Sequence, residues 1–309
     1  MSLIERAAKR LEELRRAGVE LPPSGLEDIP AQLPAHPAPP ARIPAASGAA
    51  PRTAPTNSRT GATSTQNRFD LDLTRLASLG FVTPDQPRSR IADEFRILKR
   101  PLIANTSERR AVPIKHSNLI MVTSSIPGEG KTFSAVNLAL SLAMERDRTV
   151  LLVDADVARP SLPALLGMPP LRGLLDVLEH NDVDLSQVLL RTNVDKLSIL
   201  PSGTQNSHAT ELLASGAMAQ LLEEMAARYS DRIIVFDSPP LLVTTEARVL
   251  ATQMGQIVFV VHAESTLQSD VKRALATIEA CPIKMMVLNQ ARTVGQGAQG
   301  YGYGYGYGS

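Results

Sequence analysis

Residues 119–132 read LIMVTSSIPGEGKT, an apolar segment that runs directly into a loop of glycine, lysine and threonine. The spacing is that of a phosphate-binding P-loop, except that Ser125 stands where the pattern has its first glycine. Gly128 and Gly130 allow backbone amides to close around phosphate oxygens, and a following helix presents its free N–H groups to the anion. The segment predicts a nucleotide site, with a structural turn as the alternative. The predicted nucleotide-binding residues are Ser125, Ile126, Pro127, Gly128, Glu129, Gly130, Lys131, Thr132 and Phe133.

On either side of this segment, short apolar stretches alternate with longer amphipathic ones. Such alternation predicts an α/β fold of the P-loop NTPase type, with a mostly parallel sheet covered by helices on both faces. Strands are predicted at 119–124, 149–155, 197–200, 232–237, 256–262 and 284–289, and helices at 131–146, 210–228, 245–253 and 267–280.

Two of the predicted strands end in aspartates, one in Asp154-Ala155-Asp156 and the other in Asp237. Parallel strands bring their carboxyl ends to one edge of a sheet, where open α/β folds bind ligands. We expect Thr132, Asp154 and Asp237 to hold Mg²⁺ and Asp156 to accept a proton, although the roles of Asp154 and Asp156 could be reversed. Helix caps or solvated loop residues are the alternative interpretation. With Lys131 on the terminal phosphates, the predicted catalytic residues are Lys131, Asp154 and Asp156.

The composition of the chain excludes several classes of protein. Of its 309 residues 43% are hydrophobic, and 32 basic against 31 acidic residues give a net charge of +1, which argues against a nucleic-acid binder. No apolar run approaches the roughly 20 residues of a membrane helix, and no secretory signal is evident. One cysteine, Cys281, excludes an internal disulfide and a structural zinc site and is typical of a reducing cytosol.

Both flanks of the predicted domain differ from it in composition. Residues 1–18 predict an amphipathic helix, which either docks on a partner or frays, and residues 19–68 predict a disordered Pro/Ala-rich linker, with a proline-motif ligand as the alternative. Residues 69–291 form the predicted P-loop domain. Residues 292–309 contain no charged residue after Arg292 and have repeated glycine, which predicts a flexible tail.

The tail holds four of the five tyrosines of the chain, each separated from the next by one glycine. A low-complexity, aggregation-prone tail is one interpretation of this pattern. Beside an ATP site, unhindered phenols on a tether are also suitable phosphoryl acceptors. We therefore predict phosphorylation at Tyr301, Tyr303, Tyr305 and Tyr307.

These elements together resemble the bacterial tyrosine kinase family. Besides the P-loop and the tyrosine cluster, LLVDADVARP at 151–160 resembles the family's Walker A′ motif, and IIVFDSPP at 233–240 resembles its Walker B motif. The N-terminal helix and linker resemble soluble autokinases that accompany exosortase-type exopolysaccharide gene clusters. The resemblance implies a tyrosine autokinase that uses ATP and Mg²⁺, phosphorylates its own C-terminal cluster and regulates exopolysaccharide polymerisation and export.

The resemblance also implies partners and a location. These are a membrane-anchored chain-length or co-polymerase activator, a second copy of the chain for trans-phosphorylation, and a tyrosine phosphatase, with no nucleic acid. The protein would be cytoplasmic and recruited to the inner face of the membrane.

Three features depart from the family pattern or match it weakly. Ala158 stands where the family often has arginine, and the Glu-x-x-Arg-x-x-Arg oligomerisation motif appears as Asp93, Arg96 and Lys99, although lysine lacks arginine's bidentate fork. Asn289 resembles the base-reading asparagine of related ATPases, with a turn residue as the alternative.

Two other functions remain open from the sequence. Partition and division-site ATPases share the fold and use ATP as a localisation switch, but they usually carry a signature lysine early in the loop, where this chain has Ile126 and Pro127. A catalytically weak scaffold that only binds ATP and a polymerase is the other alternative.

Overall fold

The computed structural model of the chain describes residues 67–106, 113–180, 182–228 and 231–291. The predicted N-terminal helix, the linker and the tail with Tyr301, Tyr303, Tyr305 and Tyr307 lie outside the described residues. The strands are β1 (Arg68–Phe69), β2 (Leu119–Ser124), β3 (Thr149–Asp154), β4 (Leu190–Thr192), β5 (Leu197–Leu200), β6 (Arg232–Asp237), β7 (Gln256–His262) and β8 (Ile283–Asn289). The helices are α1 (Leu73–Ser78), α2 (Arg90–Asn105), α3 (Lys131–Ala143), α4 (Leu162–Leu166), α5 (Leu174–Glu179), α6 (Leu185–Val188), α7 (Ala209–Leu213), α8 (Gly216–Arg228), α9 (Glu246–Ala251) and α10 (Gln268–Ala276).

The strands form one sheet in the order β1-β4-β5-β3-β6-β2-β7-β8. The pairing is parallel throughout the described residues except between β4 and β5, which run antiparallel. Strands β3, β6, β2, β7 and β8 therefore end at the same edge, and β2 lies between β6 and β7. That edge collects the P-loop, Asp154, Asp237 and Asn289.

The central strands are buried on both faces, which is why they read as continuous apolar runs rather than as alternating ones. Along β2, Ile120 and Val122 face a core that contains α2 and α3, whereas Leu119 and Met121 face a second core that contains α8 and α9. Helix α3 is buried along most of its length because it packs between the sheet and α2. The P-loop is thus attached to two of the most buried elements of the molecule.

The predicted α/β class with a mostly parallel sheet is confirmed, and four predicted strands have the observed bounds. The prediction of one continuous helix over 210–228 is wrong, because the segment forms two helices, α7 and α8, with an interruption between them. There the Ser215 hydroxyl accepts a hydrogen bond from Met218 N at 3.2 Å and caps a new helix. The short strands β1 and β4 were not predicted, because two or three residues are too few to show the hydrophobic periodicity of a strand.

Within the described ranges, no helix combines the length and the apolar character that a membrane span requires.

Candidate active site

The loop between β2 and α3 has the backbone shape that a phosphate site requires. Gly128 and Gly130 adopt φ angles of +88° and +90°, in the left-handed region where a side chain would be strained. Gly130 also caps α3, and the first N–H groups of this helix have no partner within it. Those amides are available to phosphate oxygens, as the sequence predicts.

The Glu129 side chain points into the protein and closes the loop from the inside. Glu129 is 1% exposed, and its Oε2 accepts a hydrogen bond from Ile126 N at 2.7 Å. Its Oε1 accepts a second one from the Thr266 hydroxyl. Because Ile126 N is occupied and Pro127 has no amide hydrogen, the amides that can bind phosphate begin at Gly128.

Lys131 forms an ion pair with Asp156, with Nζ and Oδ2 2.6 Å apart. Burial alone would lower the pKa of Lys131, but the negative charges of Asp237, Asp156 and Asp154 outweigh it and raise that pKa above its ordinary value. The lysine is therefore a stable cation at the mouth of the loop. A phosphate group would compete with Asp156 for it.

Asp154 and Asp237 are paired in register on neighbouring strands, and both are fully buried. Among the described residues, none of their four carboxylate oxygens has a partner of normal hydrogen-bond geometry, although the Thr132 hydroxyl and the Asp156 N–H act to lower the pKa of Asp237 and of Asp154, respectively. Burial, reinforced by the neighbouring aspartates, raises the pKa of Asp154 well above its usual range. Burial likewise raises the pKa of Asp237 to about 6, against the opposing charge of Lys131.

Buried carboxylate oxygens without a donor fit a hard cation such as Mg²⁺. The described residues nevertheless include no cluster of three acidic, histidine or cysteine side chains arranged to hold a metal ion. Asp156 forms an ion pair with Lys131 instead, so Asp154 and Asp237 are the two carboxylates whose oxygens remain for a metal ion. Two carboxylates that share Mg²⁺ with substrate phosphates and water are the usual arrangement for this ion.

Thr132, the third predicted metal ligand, lies at the start of α3. Its hydroxyl forms a hydrogen bond of 2.8 Å with the Ser161 hydroxyl. A cavity of about 590 Å³ opens beside Thr132 and is lined by the loop and by Asp156. Arg159 and Glu246 also line it and were not predicted as site residues. Arg159 could have been found because it lies within the Walker A′ segment at 151–160, whereas the sequence carries no signal for Glu246.

Phe133 and Asn289 line a second cavity of about 790 Å³, which lies between α2 and β8. The Phe133 ring packs against Phe81, with 4.8 Å between ring centroids. The Asn289 side-chain amide donates to the carbonyl oxygen of Glu129 at 2.9 Å. Asn289 therefore lies at the P-loop, with its amide nitrogen bonded to the loop backbone.

The three predicted oligomerisation residues lie on α2. Asp93 and Arg96 form an exposed ion pair with each other, and Arg96 also donates to the Pro87 carbonyl. Lys99 is 4% exposed and bonds to Glu145 Oε1 at 2.8 Å and to the Ser141 carbonyl at 2.5 Å. This corrects the prediction that Lys99 belongs to an oligomerisation surface, because its charge is used inside the chain.

Comparison with known proteins gives consistent matches. A family model described as ParA, NUBPL iron-transfer P-loop NTPase, matches residues 115–296. Tyrosine-protein kinase YwqD of Bacillus subtilis is 28% identical over 218 residues, which cover 70% of this chain and 88% of that protein. The succinoglycan biosynthesis transport protein ExoP of Rhizobium meliloti is 35% identical over 192 residues, which cover 60% of this chain but only 22% of that longer protein.

Among solved structures, the kinase domain of the Escherichia coli tyrosine kinase ETK superposes with a TM-score of 0.58 at 26% identity. The match covers 73% of this chain and 86% of that one. The chain belongs to the ParA-type family of P-loop NTPases, and within it to the bacterial tyrosine kinases.

Proposed function

We propose that this member of the bacterial tyrosine kinases is an ATP-dependent autokinase that phosphorylates Tyr301, Tyr303, Tyr305 and Tyr307 in its own tail. One observation carries the proposal: two buried carboxylates without hydrogen-bond donors, Asp154 and Asp237, lie beside a P-loop whose Lys131 is charged. Such an arrangement is costly for the fold unless a cation and a phosphate bind there. The four phenols of the sequence supply an acceptor.

Thr132, Asp154 and Asp237 would hold Mg²⁺, which supplies charge neutralisation on the phosphate oxygens. The amides from Gly128 onward would bind phosphate oxygens. Lys131 would leave Asp156 and donate to the terminal phosphates, which frees the Asp156 carboxylate.

In the transfer itself, the phenol oxygen forms a bond to the γ-phosphorus while the bond from that phosphorus to the β–γ bridging oxygen breaks, and ADP leaves with the electron pair. The phenol proton passes to Asp156 in our assignment, or to Asp154 if the two roles are reversed. A free phenol has a pKa near 10, so its ionisation at neutral pH needs such a base.

We further propose that the kinase regulates exopolysaccharide polymerisation or export from the cytoplasmic face of the membrane. The name of the relative ExoP, a succinoglycan biosynthesis transport protein, supports this assignment. A membrane-anchored co-polymerase would activate the kinase, a phosphatase would reverse it, and a second copy would supply the tail in trans. Each phosphate adds about −1.5 to −2 charges, so four would change the net charge from +1 to about −5 to −7 and weaken self-association.

Incubation of the pure chain with labelled ATP and Mg²⁺, followed by phosphopeptide mapping, tests the autokinase proposal. We expect label on the four tail tyrosines, none after Lys131→Met, and none when all four are changed to Phe. Tyr229→Phe, which removes the fifth tyrosine of the sequence, is the matched control and should label normally. Label on serine or threonine, or label that survives Lys131→Met, would overturn the proposal.

The match to a ParA-type family model favours one alternative, an ATPase that switches its own localisation or dimerisation without a kinase step. That function predicts ATP hydrolysis and ATP-dependent self-association with no phosphotyrosine. The labelling experiment separates the two.

A further inference from the structure

Two side chains from outside the P-loop reach its backbone or its buried glutamate. Thr266 lies in the segment between β7 and α10, and Asn289 is the last residue of β8. Neither belongs to the P-loop, the Walker A′ segment or the Walker B segment of the sequence. Their contacts with the loop therefore need an explanation of their own.

Thr266 links the end of β7 to the Glu129 carboxylate. The backbone N–H of His262 donates to Thr266 Oγ1 at 3.2 Å, and this hydroxyl donates in turn to Glu129 Oε1. Glu129 Oε2 accepts from Ile126 N at 2.7 Å. A rigid strand end is thus connected to the first turn of the loop through one carboxylate that is 1% exposed.

Asn289 supports the same loop from β8. Its amide donates to the Glu129 carbonyl at 2.9 Å, and a Cβ on Gly130 would lie only 2.0 Å from its nitrogen. The Asn289 carbonyl accepts from Ala263 N at 2.9 Å, so the ends of β7 and β8 are tied together. The loop backbone therefore packs directly against the Asn289 side chain.

We propose that Thr266 and Asn289, acting on Glu129, are positioning residues that hold the loop from Ile126 to Gly130 in its phosphate-binding shape. Glu129 then stabilises the conformation of the loop and does not bind the nucleotide. Asn289 likewise holds the loop and does not recognise the base. The inference rests on the proposed nucleotide site but not on the transfer to tyrosine. A loop fixed before the ligand arrives binds more tightly, because less ordering is left for the binding step.

The first experiment measures the affinity of the full chain for ADP with Mg²⁺ by calorimetry. Thr266→Val removes the hydroxyl at nearly constant volume, and we expect about tenfold weaker binding, which corresponds to the loss of one hydrogen bond to a charged group. Thr266→Ser keeps the hydroxyl and should restore the wild-type affinity. Thr83→Val is the matched control, since the Thr83 hydroxyl is buried without a partner among the described residues. Wild-type affinity in Thr266→Val would overturn the role of Thr266.

The second experiment compares ADP with GDP in Asn289→Ala. A positioning residue predicts that both nucleotides lose affinity by the same factor, about tenfold. A base-reading residue predicts a loss for ADP alone and a reduced preference for adenine, and that result would overturn the proposal for Asn289. An unchanged affinity for both nucleotides would overturn it as well.

These binding measurements separate the inference from the proposed activity. If the wild-type chain binds ADP but makes no phosphotyrosine, the kinase proposal fails while the positioning of the loop can still be confirmed. If Thr266→Val does not fold, as judged by circular dichroism, the comparison of Asn289→Ala with the wild type decides.

Discussion

Two pairs of buried acidic side chains in this molecule differ in whether their carboxylate oxygens accept hydrogen bonds. Asp154 and Asp237 are fully buried at the end of the sheet, and among the described residues their carboxylate oxygens have no partner of normal hydrogen-bond geometry. Glu129 and Asp176 are also buried, but each accepts two. Asp176 Oδ2 takes backbone N–H donors from Gly173 at 2.8 Å and from Thr204 at 2.9 Å.

The comparison distinguishes binding groups from structural ones. A buried carboxylate with its donors in place stabilises the turn or loop that supplies them, whereas one without donors costs free energy. The pKa directions agree with this. For Asp176 the N–H donors outweigh the effect of burial and lower its pKa, while burial raises the pKa of Asp154 and Asp237. We therefore assign Asp154 and Asp237 to a ligand, and Glu129 and Asp176 to the fold.

The largest expected effect is on activity. Asp154→Asn should lower the rate of autophosphorylation by at least about 100-fold, because the lost metal contact represents about 3 kcal/mol of transition-state stabilisation. Initial rates of label incorporation measure it. Asp176→Asn is the control and should label at a rate close to that of the wild type. Equal losses in the two variants would remove the distinction between the two pairs.

The next effect concerns stability. Asp176→Asn should lower the free energy of unfolding by about 1–3 kcal/mol, because two buried N–H groups lose a charged acceptor. Since the folded-state pKa of Asp176 is lowered, its stabilising contribution is present above the unfolded pKa near 4 and disappears as the pH falls through the folded value. The difference between variant and wild type, measured by urea unfolding, should therefore shrink from pH 7 to pH 3. A constant difference would contradict this assignment.

A smaller effect of opposite sign is expected at the metal site. In buffer that contains EDTA and no nucleotide, Asp237→Asn should raise the free energy of unfolding by about 1 kcal/mol, because it removes a buried charge that has no donor. Urea unfolding at pH 7.5 measures the change. A loss of stability instead would mean that Asp237 is part of the structural set.

The smallest effect is expected for an exposed carboxylate. Asp93 forms a surface ion pair with Arg96, so Asp93→Asn should change the free energy of unfolding by no more than about 0.5 kcal/mol. The same unfolding experiment measures it. A change as large as that of Asp176→Asn would show that burial does not decide how much a paired carboxylate contributes to the free energy of unfolding.

The sequence predicts the parts of the site that are local in the chain. The P-loop and the aspartates at the ends of β3 and β6 follow from apolar runs and turn residues, and parallel pairing then brings them to one edge. Lys99 turns inward to Glu145, which is 46 positions away in the chain. Thr266 bonds to Glu129, which is 137 positions away. No periodicity encodes such contacts, because they depend on how the elements pack.

The sequence also does not predict which of the aspartates at the site is paired with a cation. Asp154, Asp156 and Asp237 look alike in the chain, yet only Asp156 is held by Lys131. Which acid is paired depends on the side-chain geometry at the sheet edge, and this decides which oxygens remain for a metal ion.

The dependence of ADP affinity on Mg²⁺, measured by calorimetry on the wild type, Asp237→Asn and Asp176→Asn, tests most directly whether Asp154 and Asp237 hold the metal ion. We expect Mg²⁺ to strengthen ADP binding to the wild type and to Asp176→Asn by the same factor and to have little effect on Asp237→Asn. If Asp237→Asn keeps the full Mg²⁺ dependence, the buried carboxylates of Asp154 and Asp237 are not the metal site.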